Sequence, residues 1–185
     1  MMKVLTLQSS PNLKGNTITI LKSLIKGLSS DCKVETKSFN LHEMRISPCK
    51  ACFTCSTTRK CIINDDMQHI YPEFEKADVI VFGTPIYWWN MNAQMKLCID
   101  RMTALLREND SIPVLSNKTL VLIVTYRHQA TAQSTINMFK DFIDWAKIKL
   151  HVLEYCSMQK HVTEDKDKLR ESEKVGKEIA DSFKT

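Results

Sequence analysis

Apolar and polar positions alternate along this chain in five repeated units, each a short apolar run, a polar loop and a segment with apolar residues at three- and four-residue spacing. The first run, residues 3–8, closes on the turn formers Ser9-Ser10-Pro11-Asn12. Asn16 or Thr17 is then predicted to cap a helix whose Ile18, Leu21, Leu24, Ile25 and Leu28 share one face. Residues 33–39 predict a second strand and residues 78–82 a third, which breaks at Gly83-Thr84-Pro85. Proline is expected to bar that strand from continuing, which leaves Ile86, Tyr87, Trp88, Trp89 and Asn90 on a strand-to-helix loop. From Asn92 a helix is predicted through Met95, Cys98, Ile99, Met102, Leu105 and Leu106. Residues 118–125 form the most apolar run and lead through Tyr126-Arg127-His128-Gln129 into a helix bearing Ile136, Phe139, Phe142, Ile143 and Ala146. Residues 147–156 alternate as a fifth strand, and Thr163 is predicted to cap a last helix with Val175, Ile179 and Phe183 on one side.

Strands that alternate with helices predict the α/β class, here a doubly wound five-stranded parallel sheet with helices on both faces. One domain over residues 1–185 is expected. The connection between the second and third strands, about forty residues, is too long for an ordinary loop and predicts a functional insertion at about 44–66. Loops at the carboxyl edge of such a sheet diverge and leave helix N-termini facing the gap, so the candidate site lies there.

The 185 residues are 43% hydrophobic and 25% charged, the balance of an ordinary globular protein. No apolar run reaches the eighteen or so residues of a membrane span, and the N-terminus runs straight into a strand pattern, so a cytoplasmic protein is expected. The net charge of +5 sits largely on one stretch: residues 44–64 carry Arg45, Lys50, Arg59 and Lys60 and no acid. No basic helix with interleaved aromatics appears, which argues against nucleic acid. The same stretch holds Cys49-x2-Cys52-x2-Cys55-x5-Cys61, four of the seven cysteines. Four thiols on one flexible loop suit tetrathiolate ligation, and the spacing resembles compact [4Fe–4S] motifs; a structural zinc, free thiols or a redox disulfide are the alternatives. Cys32, Cys98 and Cys156 fall on strand or helix patterns and read as small apolar core groups.

The loop Ser9-Ser10-Pro11-Asn12-Leu13-Lys14-Gly15-Asn16-Thr17 places hydroxyls, an amide and backbone N–H groups at a helix N-terminus, which suits a phosphate or, equally, a well-capped turn. It matches neither the dinucleotide nor the P-loop glycine signature. Beside an aromatic loop, it points to a mononucleotide with a flat ring.

This loop, Gly83-Thr84-Pro85-Ile86-Tyr87-Trp88 and the run from Gln94-Met95-Lys96 to Ile99-Asp100-Arg101 together resemble the NAD(P)H-dependent FMN reductases of the flavodoxin-like superfamily. The resemblance implies that Ser10, Lys14, Asn16 and Thr17, with Ser9 and Asn12, hold the FMN phosphate. It implies that Pro85, Ile86, Tyr87 and Trp88, with Thr84 and Asn90, border the isoalloxazine, and that Thr125, Tyr126, Arg127 and His128 complete the cofactor site. Ser9 stands where the family usually has glycine, and Tyr126-Arg127-His128 where its loop is often glycine-rich. Asp100-Arg101 is expected to fix the helix or a subunit contact. The cysteine spacing also resembles the iron–sulfur flavoproteins of the same superfamily. The implied function is passage of electrons from NAD(P)H, through FMN, to a small-molecule or protein acceptor. The alternative is an iron–sulfur flavoprotein that carries electrons without nicotinamide turnover. A homodimer or homotetramer is expected, with the flavin rather than any side chain carrying the chemistry.

Overall fold

The apolar runs become strands and the periodic segments helices. The computed structural model describes residues 1–107 and 111–184. In chain order it has β1 (Met2–Gln8), α1 (Asn16–Leu28), β2 (Val34–Asn40), α2 (Thr54–Thr58), α3 (Met67–Lys76), β3 (Val79–Tyr87), β4 (Asn90–Met91), α4 (Ala93–Arg101), β5 (Thr119–Tyr126), α5 (Gln133–Ala146), β6 (Lys149–Cys156) and α6 (Lys166–Ser182). The strands run in the order β2-β1-β3-β5-β6, all parallel, and the two-residue β4 folds back antiparallel on the end of β3. Five parallel strands were expected; the short sixth is additional.

The central strands are buried on both faces, which is why their sequences read as nearly continuous apolar runs. Leu5, Leu7, Ile80, Phe82, Leu120 and Leu122 join Phe74, Met95 and Phe139 in a core on one face. Val4, Val79, Val81, Val121 and Ile123 join Leu24 and Ile179 on the other. On that second face α1 and α6 approach through glycines. A Cβ on Gly27 would lie 1.9 Å from the carbonyl oxygen of Glu173, and one on Gly176 would lie 2.3 Å from that of Leu24.

Several boundaries differ from expectation. β3 does not stop at Gly83 but runs on through Pro85 to Tyr87. The N–H of Ser9 reaches the carbonyl of Gly83, 2.9 Å away, so Gly83 faces β1, and Pro85, two residues on, faces the same way. β1 has ended by then, so the missing proline N–H has no partner to lose. α4 ends at Arg101 and tightens into a 3₁₀ turn over Met102–Leu105. α1 begins at Asn16, with Gly15 in the capping position. Thr163 lies in a 3₁₀ turn, Val162–Glu164, and it is Asp165 that caps α6, accepting from the N–H of Lys168 at 3.1 Å. Among the described residues no helix is long and apolar enough to cross a membrane.

Candidate active site

Three loops meet at the carboxyl edge of the sheet. In the first, Ser9 and Ser10 are buried while Asn12, Leu13 and Lys14 stand exposed. Asn12 shapes the turn: its Oδ1 accepts from the N–H of Lys14 at 3.0 Å and its carbonyl from that of Gly15 at 2.9 Å. Gly15 brings no side chain to cap α1, so the N–H groups of the first helical turn stay open towards the loop. Two further members of the predicted set are engaged within the protein. Thr17 Oγ1 lies 2.7 Å from Thr125 Oγ1, tying α1 to the end of β5, and Asn16 Oδ1 accepts from the N–H of Val162 at 2.9 Å.

The second loop is the tip of a hairpin. Ile86 pairs with Met91 and Tyr87 with Asn90, which leaves Trp88 and Trp89 as a two-residue turn. Both adopt the left-handed conformation, with φ of 50° and 63°, as a primed hairpin turn demands. Their rings meet edge to face, centroids 5.3 Å apart. Trp88 is 89% exposed and Tyr87 52%, whereas Pro85 and Ile86 are half-buried. The hairpin is pinned to α5, since Ser134 Oγ donates to the carbonyl of Trp89 and Thr135 Oγ1 donates to Asn90 Oδ1 at 3.2 Å.

One buried side chain joins these two loops. Asn92 Nδ2 donates to the carbonyl of Ser9 at 2.7 Å, while Asn92 Oδ1 caps α4 by accepting from the N–H of Met95 at 3.3 Å. Its own N–H reaches Thr84 Oγ1 at 3.3 Å, and that hydroxyl donates to the carbonyl of Pro85. Thr84, wholly buried, is therefore a stitch between loop and hairpin. The pattern of positions marks Asn92 as a helix start; its reach to Ser9 has no signature in the sequence.

In the third loop Arg127 and His128 are exposed, and the His128 carbonyl accepts from Thr131 Oγ1 at 2.7 Å. Tyr126 is half-buried, and its hydroxyl donates to Glu154 Oε2 at 3.1 Å. Burial, with the Glu154 carboxylate beside it, pushes that phenol up to about 12.

The cysteine segment leaves β2 and returns to α3, and Arg101 clamps its two ends. Arg101 is 1% exposed and grips Asp65 with both arms, at 2.7 and 3.1 Å, while also donating to the carbonyl of Ser47 at 2.8 Å. Asp65 in turn accepts from the N–H groups of Ser47 and Met67. Burial alone would raise the Asp65 carboxyl, but the Arg101 hydrogen bond and the Ser47 N–H outweigh it and hold it below the usual range. The expectation for Arg101 is thus corrected in detail: its guanidinium anchors the insertion. Between these ends Ala51, Phe53 and Arg59 take left-handed conformations around the short α2. Cys49 and Cys52 are exposed, Cys55 and Cys61 half-buried. Burial pushes the Cys55 thiol up, and the charges of Cys61, Cys49 and Cys52 add to it. Among the described residues no three His, Cys, Asp or Glu side chains stand at metal-holding geometry. Of the remaining cysteines Cys98 is buried as expected, and burial pushes its thiol up to about 12; Cys32 and Cys156 are half-buried.

The family model described as NADPH-dependent FMN reductase matches residues 2–163. An iron-sulfur flavoprotein of Methanocaldococcus jannaschii is 32% identical over 100 residues, covering 54% of this chain and 51% of that protein. The chain thus spans about half the length of that curated relative. An NAD(P)H:quinone oxidoreductase from Methanothermobacter marburgensis has a similar structure, with TM-score 0.73 at 14% identity and 96% of each chain covered. An FMN-dependent NADH-azoreductase from Bacillus anthracis, solved with FMN, gives TM-score 0.73 at 12% identity, covering 96% of this chain and 99% of that one. At such identities the structural likeness speaks for a shared flavodoxin-like α/β fold.

Proposed function

The chain belongs to the NADPH-dependent FMN reductase family, and on that premise we propose that it binds FMN at the carboxyl edge of the sheet and passes electrons from NAD(P)H to an acceptor. One observation carries the reading: an uncapped helix N-terminus is tied, through Asn92, to a hairpin that presents exposed aromatic faces. The residues fit the group. Ser10, Asn12, Lys14 and the open N–H groups at the start of α1 would hold the phosphate, the helix dipole favouring the anion. Gly15 keeps that cradle open, since a Cβ there would lie 3.0 Å from the carbonyl oxygen of Asn12.

Bound FMN supplies hydride acceptance and electron transfer. The chain supplies position. Tyr87 and Trp88 offer flat faces to a ring and exclude water from it, with Pro85 and Ile86 behind them. Ser9, Asn16, Thr17, Thr84, Asn90 and Thr125 act through the bonds that hold the three loops in register. Tyr126 keeps its proton and its bond to Glu154, and Arg127 and His128 stand at the open rim where a nicotinamide would enter. The whole chain is read as one unit, residues 1–185, working in the cytoplasm as a homodimer or homotetramer in which a second copy covers the exposed hairpin; light scattering measures that assembly.

The test is an anaerobic FMN titration followed by flavin fluorescence, then oxidation of NADPH and NADH with flavin, quinone and nitro acceptors. Saturable 1:1 quenching is expected, weakened at least about tenfold by Ser10→Asp, which sets a carboxylate against the phosphate. Quenching that never saturates would sink the reading.

The four-thiol segment favours a second reading, an iron–sulfur flavoprotein that carries electrons without nicotinamide turnover. Its donor set suits a [4Fe–4S] cluster held by Cys49, Cys52, Cys55 and Cys61, with Lys50, Arg59 and Lys60 offsetting the charge, and the segment would have to draw its thiols closer together. Iron and acid-labile sulfide assayed on anaerobically purified protein decide it. Cys55→Ser should remove both and leave FMN bound; their absence from the parent protein returns the segment to free thiols.

A further inference from the structure

β2 forms one edge of the sheet, and Glu35, Thr36, Lys37 and Ser38 in its middle are all exposed. The helices lie chiefly elsewhere, α1 against β3, β5 and α6 and α3 against β1. Open space of about 440 Å³ on the α1 side and about 200 Å³ on the α3 side is left along the strand.

The backbone bonds at its two ends fix which groups of β2 look outward. The N–H of Met2 donates to the carbonyl of Lys33 at 3.0 Å, and the N–H of Leu41 donates to the carbonyl of Gln8 at 2.8 Å. Pairing with β1 runs from Val34 to Asn40 without a bulge. Backbone groups alternate sides along a strand, so those of Glu35, Lys37 and Phe39 face β1 and those of Val34, Thr36 and Ser38 face away from the sheet. The series ends there, because the carbonyl of Asn40 accepts from the N–H of Glu43 at 3.0 Å. Of the devices that keep an edge from pairing, a proline, a bulge and a covering helix are all missing from this strand, and its two central charges are opposite in sign.

We propose that β2 pairs antiparallel with β2 of a second copy of this chain, about a two-fold axis at Thr36, which joins two sheets into one. The outward groups then meet in register: Thr36 exchanges both bonds with the partner's Thr36, and Val34 does so with the partner's Ser38, for about six backbone hydrogen bonds in all. The charges select this register. Between the bonded pairs, Glu35 stands opposite the partner's Lys37 and Lys37 opposite the partner's Glu35. Moving the axis by one residue sets Glu35 against the partner's Glu35, or Lys37 against the partner's Lys37. The sequence Glu35-Thr36-Lys37 is thus its own complement when read in reverse, as a surface that meets itself must be. This contact lies on a different element from the hairpin and does not rest on the FMN reading.

The experiment measures the mass of the full chain by sedimentation against concentration. Lys37→Glu and Glu35→Lys each replace both attractive pairs by repulsive ones, and each alone should weaken self-association at least about tenfold and halve the mass of the assembly. Mixed in equal amounts, the two variants should reassemble, because every Glu then faces a Lys; the double variant Glu35→Lys with Lys37→Glu should also regain the parental mass. Thr36→Pro removes an outward N–H that β1 does not use, so the fold should stand while the assembly is lost. Hydrogen exchange at Val34, Thr36 and Ser38 should be slow in the assembled parent and fast in either single variant. A monomeric parent, single variants that keep the parental mass, a mixture that fails to reassemble, or equal exchange at these amides would each overturn the proposal.

Discussion

Asn92 does two tasks with one amide. The oxygen caps α4, and the nitrogen holds the carbonyl of Ser9 at 2.7 Å in a fully buried setting. Asn92→Asp separates the two, because a carboxylate still accepts from the Met95 N–H but sets a charge against the Ser9 carbonyl. It is expected to destabilise the fold by about 2–3 kcal/mol, the range for leaving buried polar groups unmatched, read as a lower urea midpoint with unchanged slope. Asn92→Ala removes the cap as well and should cost about 1 kcal/mol more. A midpoint unchanged in both variants would show that Ser9 is satisfied without Asn92. The sequence marks Asn92 as a helix start, because capping chemistry is local; its partner lies 83 residues away and leaves no local trace.

Two elements carry strain or closeness that their sequences do not advertise. Tryptophan is an unusual choice for both positions of a primed hairpin turn, where Asn-Gly is favoured, and a left-handed conformation costs a non-glycine residue about 1–2 kcal/mol. Trp88→Asn with Trp89→Gly should therefore raise stability by about 1–3 kcal/mol, seen as a higher melting temperature, while weakening FMN binding through loss of the exposed ring. Gain in stability with FMN affinity intact would remove the hairpin from the site. At the crossing of α1 and α6 the direction is opposite. Gly176→Ala drives a methyl group into backbone rather than into a yielding side chain, and should cost about 3 kcal/mol or more. Thermal unfolding of that variant close to the parent temperature would mean that the helices separate freely.

At the scale of the molecule, the pairing of Arg101 with Asp65 fixes where the cysteine segment stands. Their side chains are 1% and 8% exposed, so removing one partner leaves the other buried and unpaired. Arg101→Met should destabilise by about 3–5 kcal/mol and speed tryptic cleavage at Lys50, Arg59 and Lys60. Cleavage at the parent rate would show that the segment is held by other means. The same pair sets an acid limit. Asp65 titrates lower in the folded state than the unfolded value near ~3.9, so its contribution is complete above that value and is lost as pH falls through its folded pKa. Stability measured against pH should fall below about pH 4, with a shallower acid limb in Asp65→Asn, whose own loss of stability at neutral pH is the greater effect.

The amino-acid sequence alone determined the alternation of strands and helices, the polar first loop, the aromatic segment after the third strand and the four-thiol stretch. Each is written within a short window, as period-two or helical spacing, turn chemistry or cysteine spacing, and local sterics and solvation read such windows directly. Only the tertiary structure decided what those parts do to one another. β3 passes through Pro85 because β1 ends two residues too soon to need its N–H. Thr17 and Thr125, both predicted to face a cofactor, spend their hydroxyls on each other across 108 residues of chain. Arg101 turns from a helix terminus into a clamp because Asp65 and Ser47 arrive beside it, and β2 stands open because α1 packs on the middle of the sheet rather than its edge. These outcomes depend on which distant groups are left unpaired when the layers close, a property of pairs in space that no window of sequence contains.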